Sequence, residues 1–299
     1  MGEVDYTRFH DELRTMMTLP ASENPASRTQ VGADDPFIGV NPKELIRLGD
    51  FLDSVDNDGC APERSVFITG FEDWDRKAYI LQEAAESRGM RFVGLDVGKF
   101  FSTPPQKSRV SPKKRILKLV NPGFEEEVLV CFSGVVKHFK PAASLERAVQ
   151  REVLYNARQF ATSVVDMKND HKNLKICAIV DSPKGFPRSM QDEDVFGKNI
   201  KIDLPKLPAR IEIISSVIGD IILSSMYSGE ETPIDISDGE YVHKLGELTK
   251  DLGYNRIVAM VREAIISFEV EHSDPRNAQR KSLKTPSIKD LVQYVQRKF

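Results

Sequence analysis

From Ser65 onward, short apolar runs alternate with longer amphipathic stretches. SVFITG (Ser65 to Gly70), RFVGLDV (Arg91 to Val97), EVLVCFSG (Glu127 to Gly134) and LKICAIVD (Leu174 to Asp181) each read as a strand buried on both faces. KNIKIDLP (Lys198 to Pro205) reads as a fifth. Between them, Asp75 to Met90 and Leu145 to Asp166 carry helical periodicity. Asn41-Pro42 opens an earlier helix, with Leu45, Ile46, Leu48, Phe51 and Leu52 at helical spacing and proline at its first position. Apolar strands separated by helices predict an α/β fold, a parallel sheet covered by helices on both faces. Such sheets place ligands beyond the carboxyl ends of their strands. After Pro208 the period becomes helical throughout: Ala209 to Met226, Tyr241 to Lys250, Tyr254 to Phe268 and Ser287 to Phe299. Residues 1–35 read as an extension, with a short amphipathic helix over Val4 to Met17 and a linker rich in Pro, Ser and Ala. The expected organisation is an extension over 1–35, an α/β domain over 36–207 and a small all-α domain over 208–299.

The composition agrees with a globular chain. Of 299 residues, 42 are Lys or Arg and 45 Asp or Glu, for a net charge of −3. Nucleic-acid binding would therefore need a local patch. No apolar run reaches transmembrane length, and the N-terminus has no apolar signal core, which predicts an intracellular protein, cytoplasmic or nuclear. Cys60, Cys131 and Cys177 lack CxxC spacing and read as reduced thiols. The five histidines are isolated and no ligand set for a metal stands out.

The order of these pieces, from about Asp34 to the C-terminus, resembles the AAA ATPase family. DDPFIGVNPKELIRLGDFLD is similar to the family's opening segment, which implies an adenine-side role for Ile38 and Gly39. SVFITGFEDWDRKAYILQEAAESRGMRFVGLDV resembles its strand, phosphate loop, helix and second strand. LKICAIVDSP resembles the strand that ends in its sensor asparagine, and IKIDLPKLPARIEII the join between its large and small domains. LTKDLGYNRIVAMVREAI resembles its lid segment. The resemblance implies a P-loop NTPase-like sheet domain with a helical lid.

The positions that carry chemistry depart from the pattern. A phosphate loop, G-x-x-x-x-G-K-[ST], uses glycines for close backbone approach, lysine on the phosphates and a hydroxyl on Mg²⁺. Here Gly70 is followed by Phe71, Glu72, Asp73 and Trp74. Asp75 then stands for the second glycine, Arg76 for the lysine and Lys77 for the hydroxyl. If Lys77 is taken as the lysine, Ala78 supplies no hydroxyl. Glu72, Asp73 and Asp75 would face a triphosphate, and two like charges at 4 Å repel by about 4 kcal/mol at an effective dielectric near 20. The Walker B strand should end in Asp-Glu to hold magnesium and polarise water; this one ends in Ser133-Gly134. Asp181 takes the sensor position, and Asp194 to Lys198 contains no arginine where the family's trans-acting ones fall. The expectation is a degenerate, non-hydrolysing protein with no catalytic residue and no cofactor. It would act through protein contacts, as an inactive subunit or adaptor beside AAA-family partners.

Two alternatives stay open. One is an enzyme that binds ATP and Mg²⁺ and hydrolyses weakly, using Lys77 with Asp181 or Asp96. The other is a nucleic-acid-associated factor using the basic segment Lys107, Arg109, Lys113, Lys114, Arg115 and Lys118, six cations in twelve residues. That segment has no interleaved aromatic residue for base stacking and reads first as a solvated loop. Whether the crevice at Gly70 is open, or filled by Phe71, Trp74 and the acidic side chains, separates the readings.

Overall fold

The computed structural model describes residues 37–54, 64–101, 110–123, 126–140, 146–228, 240–272 and 287–298. The helix expected over Val4 to Met17, Cys60, and the cations Lys107 and Arg109 lie outside the described residues.

Five strands form one parallel sheet in the order β2-β3-β4-β1-β5. They are β1 (Ser65–Thr69), β2 (Arg91–Asp96), β3 (Val128–Ser133), β4 (Leu174–Ile179) and β5 (Asn199–Lys201). Every residue of β1 and β4 is buried, as apolar runs without alternation require. β5 is shorter than its apolar run, because Asp203 and Pro205 end the ladder at an edge. Glu44 covers part of that edge, its carboxylate accepting from the Lys201 N–H at 3.0 Å.

Helices pack on both faces. On one, α1 (Pro42–Asp53) and α2 (Trp74–Glu86) bury Leu48, Phe51, Leu52, Ile80, Leu81, Ala84 and Ala85. The other face carries the main core. It is built from α3 (Gly98–Phe101), α4 (Pro112–Val120), α5 (Val135–Phe139), α6 (Arg147–Asp170), α7 (Arg188–Gln191) and α8 (Glu193–Phe196). Its centre is Phe160 of α6, edge-on to Phe101 and Phe132 and stacked with Phe139 at 4.9 Å. Strand alternation puts Cys131 and Cys177 on the first face, paired in register on β3 and β4. Burial and the neighbouring Cys131 thiol push the Cys177 thiol well up, so it stays protonated. Lys175, two residues earlier on that face, is 5% exposed, and its ammonium closes the carboxyl end of α1. It donates to the Phe51 and Ser54 carbonyls at 2.9 and 2.7 Å.

Three expectations need correction. β2 is not buried on both faces: it lies at the sheet edge and none of its residues is buried. The basic segment is not simply a loop, since Pro112–Val120 is helix α4. The Ser111 hydroxyl accepts from the Lys114 N–H, Ile116 and Val120 are buried one turn apart, and Asn121 ends the helix at φ 40°. The long helix runs to Asp170 rather than Asp166, its last turn held by the Lys113–Asp170 ion pair at 2.7 Å.

The chain divides into two units. The sheet unit comprises Gly39–Lys206 together with Asp251–Arg256. The second takes Phe37 and Ile38, Leu207–Lys250 and Ile257–Phe299. It contains α9 (Leu207–Ser228), α10 (Glu240–Leu248), most of α11 (Tyr254–His272), and α12 (Ile288–Lys298). In it, buried Arg210 donates to the Gly246 carbonyl at 2.8 Å, and Gly246 leaves no room for a side chain beside Ile211. No helix among the described residues is long and apolar enough to cross a membrane.

Candidate functional site

Strand order fixes where a ligand could sit. From β1 the chain crosses to β2, at the far edge on one side. From β4 it crosses to β5, on the other side. The point where connections leave in opposite directions lies between β1 and β4, the place where parallel sheets open a crevice. Gly70 follows β1 there and Asp181 follows β4, so the structure brings these two positions together. Ser133 and Gly134 end β3, one strand beyond β4. Asp96 ends β2, three strand spacings from β1, about 14 Å across the sheet. It is therefore not brought to the loop as the alternative of weak hydrolysis would need. Its carboxylate instead accepts from the Gly98 N–H at 2.8 Å.

The loop after β1 is tied to the protein itself. The Gly70 N–H donates to the Asp181 carbonyl at 3.2 Å, and the Glu72 N–H to the Ile202 carbonyl at 3.4 Å. The Asp73 N–H donates to the Glu72 carboxylate at 3.1 Å. Gly70 sits at φ +105°, and a Cβ built there would come within 2.6 Å of the Ile202 carbonyl carbon. The glycine is thus required by the close approach of β5's extension as well as by its backbone angle. Phe71 and Trp74 do not fill the crevice; they are 74% and 49% exposed. The buried side chains are Glu72, Arg76 and Lys77, at 6%, 3% and 1% exposure.

Each of the three has internal partners. The Lys77 ammonium turns back along its own loop and donates to the Gly70 carbonyl at 2.6 Å. Burial pulls its pKa below the usual lysine value, while Asp181, Glu72, Asp203 and Asp73 push the other way. Arg76 lies over the Tyr254 ring, 3.6 Å from its centroid. The Glu72 carboxylate accepts from the Tyr254 N–H at 3.1 Å, in the first turn of α11. Gly253 lets it approach, since a Cβ there would meet Glu72.

Burial raises the Glu72 pKa above 4.5, with Asp73 adding to the rise; the two backbone N–H donors and Arg76 oppose it. The folded state therefore binds a proton that the unfolded state releases between pH 4.5 and the raised value. That contribution to stability is full below pH 4.5 and lost as pH rises through the folded pKa. Glu72→Gln keeps an acceptor for Tyr254 and removes the proton. Urea unfolding at pH 4.5 and 7 is expected to show a smaller pH dependence in the variant than in the wild type; equal dependence would contradict this role.

The remaining positions are accounted for separately. Ile38 is buried and Gly39 turns at φ +82°. Of the basic segment, Lys113 pairs with Asp170 and Asp166, and Arg115 donates to the Lys99 and Phe100 carbonyls. Lys114 and Lys118 are exposed. Among the described residues no group of three or more His, Cys, Asp or Glu could hold a metal. Sequence reasoning missed the Glu72–Tyr254 contact and the destination of the Lys77 ammonium. No known family model matches this sequence, and no curated protein matches it significantly.

Proposed function

We propose that this is an AAA-like protein, P-loop NTPase-like in its sheet domain and with an all-α lid, that does not hydrolyse ATP and works through protein contacts. The observation that carries this is the self-satisfied loop. Three of its backbone N–H groups and its buried lysine are bonded to protein acceptors, where a phosphate loop would turn them on a ligand. The residues do not suit a magnesium triphosphate. Ala78 offers no hydroxyl, Glu72 brings a carboxylate into the loop, and Ser133-Gly134 supplies no acid. A loop tied down in this way serves as a rigid corner of the sheet. The chain would then take part in an assembly as an inactive subunit or adaptor, with AAA-family proteins as the partners the sequence resemblance implies. On the rival proposal of a weak hydrolase, Lys77 beside Asp181 would be the active pair. Phosphate release from Mg-ATP separates the two. The expected result is release at background, unchanged in Arg76→Ala and Lys77→Ala; turnover that either substitution abolishes would overturn the proposal.

A further inference from the structure

The centre of the sheet holds two thiols that the proposed function does not use. Cys131 of β3 and Cys177 of β4 are register partners, and both are free. They share one face, since Val130, Phe132, Ile176 and Ala178 line the core on the other. Neighbouring strands run about 4.8 Å apart, inside the range of about 4.4–6.8 Å between Cα atoms that a disulfide spans. The Cys131 side chain is already hydrogen-bonded to the Cys177 thiol. A single buried cysteine packs as a small apolar residue. Two in register place each sulfur within reach of the other.

The two thiols are not equivalent. The row across the sheet at this level reads Gly94, Cys131, Cys177, Val66. Val66 is fully buried and closes the Cys177 side. Gly94 lies on the edge strand β2, is exposed, and brings no side chain against Cys131. A Cβ built there would meet only the Phe92 ring, at 3.6 Å. One glycine therefore separates Cys131 from the sheet edge, while Cys177 lies a strand deeper.

We propose that Cys131 and Cys177 are a modification site at which a small peroxide forms a disulfide between β3 and β4, Cys131 reacting first by way of the edge at Gly94. The Cys131 sulfur gives up its proton and attacks one peroxide oxygen. The O–O bond breaks, and the departing hydroxide takes up the proton as water, leaving a sulfenic acid on Cys131. The Cys177 sulfur then attacks that sulfur. The S–O bond breaks, and the hydroxyl leaves with the Cys177 proton as a second water. The thiol pair loses two electrons and the peroxide gains them. The new bond closes a loop that contains α5 and α6. Nothing in this depends on whether the crevice at Gly70 binds nucleotide.

The test uses the full chain carrying Cys60→Ser, so that only these two cysteines remain. Folded protein is treated with hydrogen peroxide, and thiols are counted after denaturation. Both thiols are expected to be lost, a non-reducing peptide map to join Cys131 to Cys177, and dithiothreitol to restore both. Cys177→Ala is expected to stop at a Cys131 sulfenic acid that dimedone captures, and Cys131→Ala to leave Cys177 reduced. Gly94 is not at positive φ, so Gly94→Val is expected to keep the melting temperature while slowing thiol loss several-fold. Folded protein that keeps both thiols, Cys131 oxidised without a cross-link, Cys177 oxidised in Cys131→Ala, or an unchanged rate in Gly94→Val would overturn the proposal.

Discussion

Lys77→Ala is expected to lower the unfolding free energy by about 3 kcal/mol while leaving the protein's behaviour toward ATP unchanged. The side chain is 1% exposed, so truncation opens a cavity in the sheet's crevice. The Gly70 carbonyl loses the ammonium that donates to it at 2.6 Å. Asp181, Glu72, Asp203 and Asp73 lose their shared countercharge. A lysine reserved for nucleotide would show the opposite pattern, with affinity lost and the stability of the empty protein little altered. Denaturant titration of both proteins, with and without Mg-ATP, separates the two patterns.

Gly70→Ala is expected to cost at least about 3 kcal/mol. A side chain at φ +105° is strained by 1–3 kcal/mol on general grounds, and overlap with the Ile202 carbonyl adds to it. Relief by movement is blocked, because the Gly70 N–H is bonded to Asp181 and the Ile202 N–H to the Thr69 carbonyl at 2.8 Å. Gly89→Ala is the internal control. Its φ is +71°, but a Cβ there meets nothing within 4 Å, so only about 1–2 kcal/mol is expected. Equal losses at the two glycines would mean that the approach of Ile202 is not a constraint.

β1, β3 and β4 are legible in the sequence because burial on both faces turns them into unbroken apolar runs, as in Val66-Phe67-Ile68; β2, at the sheet edge, has no buried residue and shows only in its short apolar run Phe92 to Leu95. Helix α4 is hard to see. Only Ile116 and Val120 of its nine residues are buried, and its cations mask the period; the Ser111-Pro112 start and Asn121 are the signals that mark it. Strand order is not written in any local pattern, which is why Asp96 could be weighed as a partner of Lys77 although two strands lie between β2 and β1. That Asp75, Arg76 and Lys77 do not fit a phosphate-loop pattern is plain in the sequence. What the buried charges do instead is not, because the donor to Glu72 lies 182 residues away at Tyr254. A carboxylate two residues after Gly70 reads only as repulsion toward a phosphate until its acceptor role toward the Tyr254 N–H is seen.

The central claim is that the crevice at Gly70 is satisfied by the protein's own groups. Its most direct test is the unfolding temperature of the wild type across a Mg-ATP titration into the millimolar range. A ligand present at a hundred times its dissociation constant stabilises the native state by about 2.7 kcal/mol, which a melting curve resolves. The expected outcome is a flat line. A saturable rise that disappears in Lys77→Ala would contradict the account.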